Sequence, residues 1–260
     1  MSEELINKNS FPILEFDPDR QAMIEPSRLI KRKDVPEHCV LCFFSDVIEK
    51  VVRDHNVIEI ADHRAEDGSH KIYELEYMGK RLAFFHPGLG APLSAALFEE
   101  AIALGCRKFI ACGGAGVLEK EMSVGKLVVV NAALRDEGVS YHYLPPARDV
   151  IAEPKTLAVI SQIMQTKMLP FLQAKTWTTD AFYRETPGLV ASRRDEGCVM
   201  VEMECAALMA VAQYRNVPFG QLLYSGDDLS GDAWSSRGWQ KRSDIRESLF
   251  WLSAEACLSL

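Results

Sequence analysis

The chain has 260 residues, of which 48% are hydrophobic and 25% are charged, so it is long enough to bury one substantial core. Its formal net charge of -8 and pI near 5.4 argue against a nucleic-acid surface, because phosphate contacts require clustered Lys and Arg side chains. No apolar run approaches the roughly 18 residues of a membrane span, and residues 1–10 lack the apolar stretch of a signal peptide. We therefore expect a cytoplasmic protein that binds a small molecule and neither nucleic acid nor membrane.

The cysteine and histidine content argues against a metal centre. Seven cysteines are an odd number scattered through apolar stretches, which indicates reduced, buried thiols without a disulfide framework. Cys39 and Cys42 form a single CxxC pair in an apolar strand, which favours core packing over zinc or redox chemistry. The six histidines share no metal-ligand spacing, and the glycine-rich stretch lacks the dinucleotide fingerprint. We expect no metal and no redox cofactor.

Residues 1–37 are polar and contain four prolines, which predicts a surface arm that lies on its own domain or reaches a neighbouring subunit. The remainder, 38–260, shows no internal linker and predicts a single domain. Apolar runs and amphipathic stretches alternate along it. The predicted strands are 39–44, 71–77, 81–85, 108–112, 126–134, 176–179, 198–201 and 219–224. The predicted helices are 46–55, 93–104, 153–166, 203–213 and 238–258. This alternation, with some adjacent hairpin strands, predicts a three-layer α/β/α sandwich with a mixed central sheet.

Several polar or glycine-rich stretches follow predicted strands, at the sheet edge where ligands collect in such folds. Val201-Glu202-Met203-Glu204 places two carboxylates where a strand becomes a helix. An ionised carboxylate only accepts hydrogen bonds, so this pair is suited to the two hydroxyl donors of a sugar diol. The alternative is a pair that stabilises the helix N-terminus. Gly113-Gly114-Ala115-Gly116 predicts a loop in which backbone approaches a ligand closely.

Taken in chain order, these stretches resemble the motifs of the nucleoside phosphorylase family, which includes purine nucleoside and uridine phosphorylases and related nucleosidases. The matching stretches are Gly88-Leu89-Gly90-Ala91-Pro92, Gly113-Gly114-Ala115-Gly116, Thr179-Asp180-Ala181-Phe182-Tyr183, Val201-Glu202-Met203-Glu204 and Ser225-Gly226-Asp227. Any one match would be weak, but five in the family's order cover most of the chain after residue 37. The resemblance implies the family fold, a nucleoside ligand, and a homo-oligomer that is a dimer, trimer or hexamer.

The resemblance also implies roles for individual residues. Glu204 would accept hydrogen bonds from the ribose hydroxyls, Met203 would pack on the sugar, and Glu202 would stand near the sugar and base. Phe182 falls where the family stacks an aromatic ring on the base, although an ordinary core aromatic is an equal alternative. Gly113 would bring backbone close to the substrate.

Asp227 matches the carboxylate that purine-specific members place beside the imidazole nitrogen of the base. A purine leaves poorly until that nitrogen is protonated, so the resemblance makes Asp227 the candidate general acid. Arg242 and Arg237 compete for the arginine that assists it, and counting along the last helix favours Arg242. The alternative for Asp227 is an ordinary turn residue in a Gly-Asp-Asp sequence.

The chain departs from the family where phosphate would bind. Phe44 and Ile48 stand in place of the family's glycine and arginine after the first strand, and Ala111 and Gly114 replace a later arginine and a hydroxyl residue. Charge-assisted contacts are what hold phosphate, so its use as co-substrate would depend on backbone amides around Gly114 and on Arg64. In family members, the region of Arg64 reaches a neighbouring active site.

Three functions remain open from the sequence. The first is a purine nucleoside phosphorylase with a phosphate site rebuilt around Arg64 or Arg135. The second is a nucleoside hydrolase in which Asp46 or Glu202 orients water, and the third is a nucleoside-binding protein without catalysis. Asp227 favours a purine, and a uridine phosphorylase is the alternative, although residues 184–188 lack the glutamine of uridine-specific members.

Overall fold

A computed structural model of the chain describes residues 6, 8–66 and 68–260. The strands in this part of the chain are β1 (His38–Cys42), β2 (Val57–Ala65), β3 (Gly68–Tyr77), β4 (Lys80–Phe85), β5 (Lys108–Val117), β6 (Leu127–Asp136), β7 (Asp149–Ile151), β8 (Phe171–Thr179), β9 (Cys198–Glu202) and β10 (Phe219–Asp228). The α-helices are α1 (Pro26–Leu29), α2 (Ser45–Asp54), α3 (Ala91–Leu104), α4 (Ser140–Tyr143), α5 (Pro154–Thr166), α6 (Pro187–Asp195), α7 (Cys205–Arg215) and α8 (Ser243–Leu258). Short 3-10 turns lie at Pro12–Leu14, Phe182–Arg184 and Trp239–Lys241.

The described strands form a mixed sheet in the order β10-β6-β8-β9-β5-β1-β4-β3-β2, with β7 paired to β6. β5 pairs in parallel with β1 and β10 and antiparallel with β9. Because β10 also pairs with β6, the five strands β5, β10, β6, β8 and β9 close into a ring. This closure brings the carboxyl-terminal residues of β5, β9 and β10 to one place, where the site described below is built.

Helices cover both faces of the sheet. Successive side chains of a strand point to opposite faces, so Cys39 and Leu41 of β1 pack in one core cluster and Val40 and Cys42 pack in another. The first cluster includes buried residues of α3 and α7, and the second includes buried residues of α2, α5 and α8. The predicted α/β/α sandwich with a mixed central sheet is confirmed.

Two predicted segments need correction. Residues 113–116, predicted as a loop, continue β5 to Val117 because their backbone pairs with β10 on one side and β9 on the other. Glycine is favoured at Gly114, where a Cβ atom would lie 3.0 Å from the ring of Tyr224. The last helix was predicted from residue 238 and begins at Ser243, after the 3-10 turn.

The described part of the N-terminal arm lies on its own domain, against the end of α7. The guanidinium carbon of Arg20 is 4.3 Å from the ring centroid of Tyr214, whose hydroxyl donates to the Arg20 carbonyl oxygen at 2.9 Å. Glu25 also pairs with Arg215 at 3.4 Å. Across the residues that the structure describes, none of the helices has both the length and the apolarity needed to cross a bilayer.

Candidate functional site

A cavity of about 870 Å³ opens where β5, β9 and β10 meet, and its volume is typical of pockets that hold small molecules. Its walls also include the start of α7, the turn at Phe182–Arg184 and the segment before α8. The lining residues are Phe43, Phe44, Leu89, Gly113, Gly114, Ala115, Gly116, Phe182, Tyr183, Glu185, Val201, Glu202, Met203, Glu204, Gln221, Leu223, Gly226, Asp227, Leu229, Trp234, Ser236, Trp239 and Gln240.

Glu202 and Glu204 are both buried at the junction of β9 and α7. Glu202 accepts hydrogen bonds from the backbone N–H groups of Glu204 at 2.8 Å and Cys205 at 2.7 Å, and from the Thr178 hydroxyl at 2.6 Å. These donors hold both of its oxygens at the start of α7. Glu204 accepts a hydrogen bond from the Gly90 N–H at 2.6 Å. Glu204 is therefore the member of the pair with more acceptor capacity left for a ligand.

Burial makes both carboxyls harder to ionise. It raises the pKa of Glu202 to about 7, although the hydrogen bonds from Thr178 and the α7 amides act in the opposite direction. Burial, followed by the negative charge of Glu202, raises the pKa of Glu204 to about 8. A ligand hydroxyl that donates to Glu204 would favour its charged form.

These raised pKa values predict a pH dependence of stability. A carboxyl whose pKa is higher in the folded than in the unfolded chain contributes stability below its unfolded pKa, and that contribution is lost as the pH rises through the folded pKa. For Glu204 this window runs from its ordinary value of 4.5 to about 8. We expect Glu204→Gln to gain free energy of unfolding relative to wild type as the pH rises from about 5 to about 9.

Urea denaturation of both proteins across this range measures the difference. Glu121→Gln is the matched control. Glu121 is exposed, so its replacement removes a carboxylate that is not buried. A difference between Glu204→Gln and wild type that does not change with pH would contradict the raised pKa.

Asp227 lies at another wall of the cavity, near the end of β10. Its Oδ2 accepts a hydrogen bond from the Trp234 indole N–H at 2.7 Å. Glu185 enters from the loop after the Phe182–Arg184 turn, and burial, followed by the charge of Asp227, raises the pKa of Glu185 to about 7. The two carboxyls therefore share this part of the cavity.

The two candidate arginines occupy different environments. Arg237 donates to the carbonyl oxygen of Asp227 at 3.3 Å and lies 3.5 Å from the carboxylate of Asp228. Arg242 lies 3.5 Å from Asp244 and is not among the residues that line the cavity. In the described part of the chain, Arg237 is thus the arginine adjacent to Asp227, and it contacts backbone rather than the carboxylate. That Arg242 assists Asp227 stays a prediction, and no contact among the described residues supports it.

The structure brings most of the other predicted residues together. Met203, Phe182, Gly113 and Gly114 all line the cavity, as the resemblance implies. Phe182 is 49% exposed, and its ring centroid is 4.1 Å from that of Tyr183, so it is available to a ligand rather than part of the core.

Three other predicted residues do not line the cavity. Arg64 lies on the edge strand β2, with its side chain 82% exposed and paired with Asp62 at 3.0 Å. Asp46 pairs with Arg246 at 2.7 Å. Arg135 is buried and donates to the hydroxyl of Ser140 at 2.8 Å.

Among the lining residues that the structure describes, every charged side chain is a carboxylate. These residues are Glu185, Glu202, Glu204 and Asp227. A nearby cation, Arg246, lies behind Phe44 with its guanidinium carbon 4.8 Å from the ring centroid, and it pairs with Asp46. The described residues that line the cavity therefore include no cation that could bind an anionic co-substrate.

Sequence reasoning missed three functional candidates. Glu185 and Trp234 arrive from loops whose paths depend on tertiary packing, so no local pattern indicates them. Gln221 lies in the apolar strand β10, is 1% exposed and lines the cavity. A buried amide in an apolar run is a signal that could have identified it, because such groups need a partner.

The chain belongs to the phosphorylase superfamily, since that family's model matches residues 37–245, which include every residue that lines the cavity. It is similar to guanosine phosphorylase from Halorubrum lacusprofundi, with 24% identity over 198 residues, or 76% of this chain and 81% of the relative. It is also similar to uridine phosphorylase from Thermococcus kodakarensis, with 27% identity over 175 residues, or 62% of each chain.

Solved structures confirm the fold. Uridine phosphorylase from Vibrio fischeri aligns with a TM-score of 0.76 at 21% identity, covering 90% of this chain and 99% of that chain. AMP nucleosidase from Bacteroides thetaiotaomicron aligns with a TM-score of 0.69 at 23% identity, covering 86% of this chain and 87% of that chain.

Proposed function

We propose that this protein cleaves the N-glycosidic bond of a nucleoside. The observation that carries the proposal is the placement of Glu204 and Asp227 on two walls of one cavity. Glu204 would accept hydrogen bonds from the sugar hydroxyls, and Asp227 would protonate the departing base. As the bond breaks, the sugar acquires oxocarbenium character, which nearby carboxylates stabilise electrostatically.

The spacing along β5 supports this division of roles. Val201 pairs with Gly116, and β9 runs antiparallel to β5, so Glu202 and the residues after it head toward Ala115. Asp228 pairs with Val117. Asp227 lies level with Gly116, where a Cβ atom would be 3.5 Å from its Oδ1, so Asp227 and the carboxylate pair lie on the two strands that flank β5, roughly 10 Å apart at about 4.8 Å per strand. One nucleoside would span this separation.

We propose a purine as the base. Asp227 would protonate an imidazole nitrogen, which a pyrimidine lacks, and the guanosine phosphorylase among the similar proteins supports this choice. The neighbouring loop supplies Glu185 rather than a glutamine for a uracil edge. Uridine stays the alternative because several of the similar proteins are named uridine phosphorylases.

We propose water as the nucleophile, because all the charged side chains that line the cavity within the described residues are carboxylates. A phosphate dianion would find no guanidinium or ammonium group among the described lining residues, and each of these carboxyls that ionises would repel it. Phosphate is the second candidate, favoured by the similar proteins that are named phosphorylases. It would require cations from another copy of the chain in a homo-oligomer, and the exposed Arg64 is the candidate donor.

The test is incubation of the purified protein with inosine, guanosine, adenosine and uridine, with and without phosphate. Chromatography of the base and the sugar product distinguishes the outcomes. We expect base release from the purine nucleosides, with free ribose as product and a rate that phosphate does not change. Asp227→Asn, prepared in parallel, controls for contaminating enzymes.

Two other outcomes would revise the proposal. Ribose 1-phosphate that forms only with phosphate would identify a phosphorylase, and Arg64→Gln should then raise the KM for phosphate. No base from any nucleoside under either condition would contradict catalysis and leave a nucleoside-binding protein.

A further inference from the structure

The side chain of Gln221 lies in the wall of the cavity, where the described residues leave its amide oxygen without a hydrogen-bond partner. It is 1% exposed, and its Oε1 is buried without a hydrogen-bond partner. Within the described part of the chain, no residue forms a hydrogen bond with this side chain. An unpaired buried amide lowers stability, so its presence in an apolar strand points to a ligand that satisfies it.

The strand beside Gln221 leaves room for such a ligand. β10 pairs in parallel with β5, and the register places Gln221 beside Ala111 and Leu223 beside Gly113. Side chains that are paired in this way share one face of the sheet. Ala111 and Gly113 are small neighbours, although Phe43 and Leu223 lie 3.4 and 3.6 Å from where a Cβ of Gly113 would be, and both Gly113 and Gln221 line the cavity.

The register of β5 also orders the groups along the cavity. Gln221 lies level with Ala111, while Val201 lies level with Gly116 and Asp228 lies level with Val117. Glu202 continues β9 from Val201 in the direction of Ala111, and the Glu204 N–H donates to its carboxylate at 2.8 Å, so we place this pair between Gln221 and the Asp227 end. If Asp227 holds the base and Glu204 the sugar, the Gln221 amide is beyond the sugar, on the side away from the base.

The chemistry of the amide restricts the ligand at that position. A glutamine side chain offers one acceptor oxygen and two N–H donors without charge, so it suits a neutral group that both donates and accepts. Water is such a group, and a nucleophile reaches the anomeric carbon from the side opposite the leaving base. We propose that Gln221 binds the water that attacks the anomeric carbon; this inference rests on the hydrolysis proposed above.

The step balances without another reactant. The water oxygen forms a bond to the anomeric carbon while the C–N bond breaks, and the base keeps the electron pair and takes a proton from Asp227. The surplus proton of the water passes to the Glu202 carboxylate. Gln221 gains no proton, because its Oε1 accepts one O–H of the water and thereby directs a lone pair at the sugar. The products are the free base and the free sugar.

The variant that tests this assignment is Gln221→Met, which keeps the side-chain length and removes the amide. We expect kcat for hydrolysis to fall about 10²-fold, because a misplaced nucleophile loses that order of rate, while the Kd for the nucleoside changes less than about twofold. The midpoint of thermal unfolding should not fall, since the variant removes an unpaired buried polar group. Gln173→Met is the matched control: Gln173 lies on β8, and its amide donates to Ser161 at 2.6 Å outside the cavity.

A second readout reports on the nucleophile alone. With methanol added, the ratio of methyl riboside to ribose measures how the enzyme chooses between two nucleophiles after substrate has bound. We expect Gln221→Met to raise this ratio and Gln173→Met to leave it unchanged. An unchanged ratio, an unchanged kcat, or a loss of nucleoside affinity as large as the loss of rate would overturn the assignment to water.

The two proposals fail in different ways. A wild-type protein that releases base only with phosphate would refute hydrolysis, and the role of Gln221 would fall with it. A wild-type protein that hydrolyses nucleosides, with a Gln221→Met variant of equal kcat, would refute the role of Gln221 and leave hydrolysis intact.

Discussion

Asp227→Asn is expected to lower kcat for purine nucleosides by about 10²–10⁴-fold, the usual contribution of a general acid. Asparagine has nearly the same shape, and its side-chain oxygen can still accept the hydrogen bond that Trp234 donates to Asp227 at 2.7 Å. It cannot supply a proton to the base. The KM should therefore change little, and steady-state kinetics with inosine measure both parameters.

A substrate with a charged leaving group separates acid catalysis from binding. In 7-methylguanosine the imidazole ring already carries a positive charge, so the base leaves without a further proton. We expect Asp227→Asn to lower kcat for this substrate by less than about tenfold. An equal loss for inosine and 7-methylguanosine would assign Asp227 to binding instead.

Asp228→Asn is the matched control for the variant. The carboxylate of Asp228 accepts hydrogen bonds from the N–H of Ser230 at 2.8 Å and from its hydroxyl at 2.6 Å, and Asp228 is not among the residues that line the cavity. Its replacement removes the adjacent negative charge and alters the same loop. We expect kcat to change less than about threefold, since Asp228 does not face the substrate.

Local sequence patterns predicted the strands whose side chains are buried on both faces of the sheet. Apolar runs located the strands that are covered on both faces, such as β5 and β10. The edge strand β2 escaped prediction because none of its described residues is fully buried and its side chains follow no apolar alternation. Residues 113–116 read as a loop from their glycines, yet pairing on both sides with β9 and β10 makes them strand. Tertiary pairing overrides residue preference there.

The same distinction holds within the site. Glu202 and Glu204 were identified because a strand-to-helix junction is a local feature of the chain. The choice of Arg242 over Arg237 relied on counting along a helix, whereas Arg237 and Gly238 have positive φ values of 45° and 66° and precede a 3-10 turn. This backbone reversal places Arg237 beside Asp227 and leads Arg242 away. The residue types in this segment do not indicate where the side chains of Arg237 and Arg242 point.

The cavity also concentrates features that oppose stability. Glu202 and Glu204 are buried close enough that the charge of Glu202 raises the pKa of Glu204, and the buried Oε1 of Gln221 has no hydrogen-bond partner among the described residues. A fold selected for stability alone would place apolar side chains at these positions. Local conflicts of this kind are expected at functional sites, where a ligand supplies the missing partner.

Glu204→Gln is expected to lower kcat/KM for ribonucleosides by about 10²-fold. Each hydrogen bond from a sugar hydroxyl to an ionised carboxylate contributes about 1.5–3 kcal/mol, and the neutral amide weakens that contact and offers only one acceptor oxygen. Raising the pH through about 8, where Glu204 ionises, should increase kcat/KM of the wild type more than that of the variant. The kinetics of inosine cleavage across this range measure both effects.

Inosine and 2′,3′-dideoxyinosine form the matched pair of substrates for this variant. The dideoxy compound lacks both hydroxyl donors, so the loss caused by Glu204→Gln should shrink from about 10²-fold to less than about threefold. This comparison of two proteins with two substrates assigns the lost free energy to the contact between Glu204 and the sugar diol.

Glu202→Gln is the comparison variant. Glu202 accepts hydrogen bonds from the start of α7 and from Thr178, so its replacement should lower the free energy of unfolding as well as activity. An equal loss for both substrates in Glu204→Gln would contradict recognition of the diol and place Glu204 in the support of α7 instead.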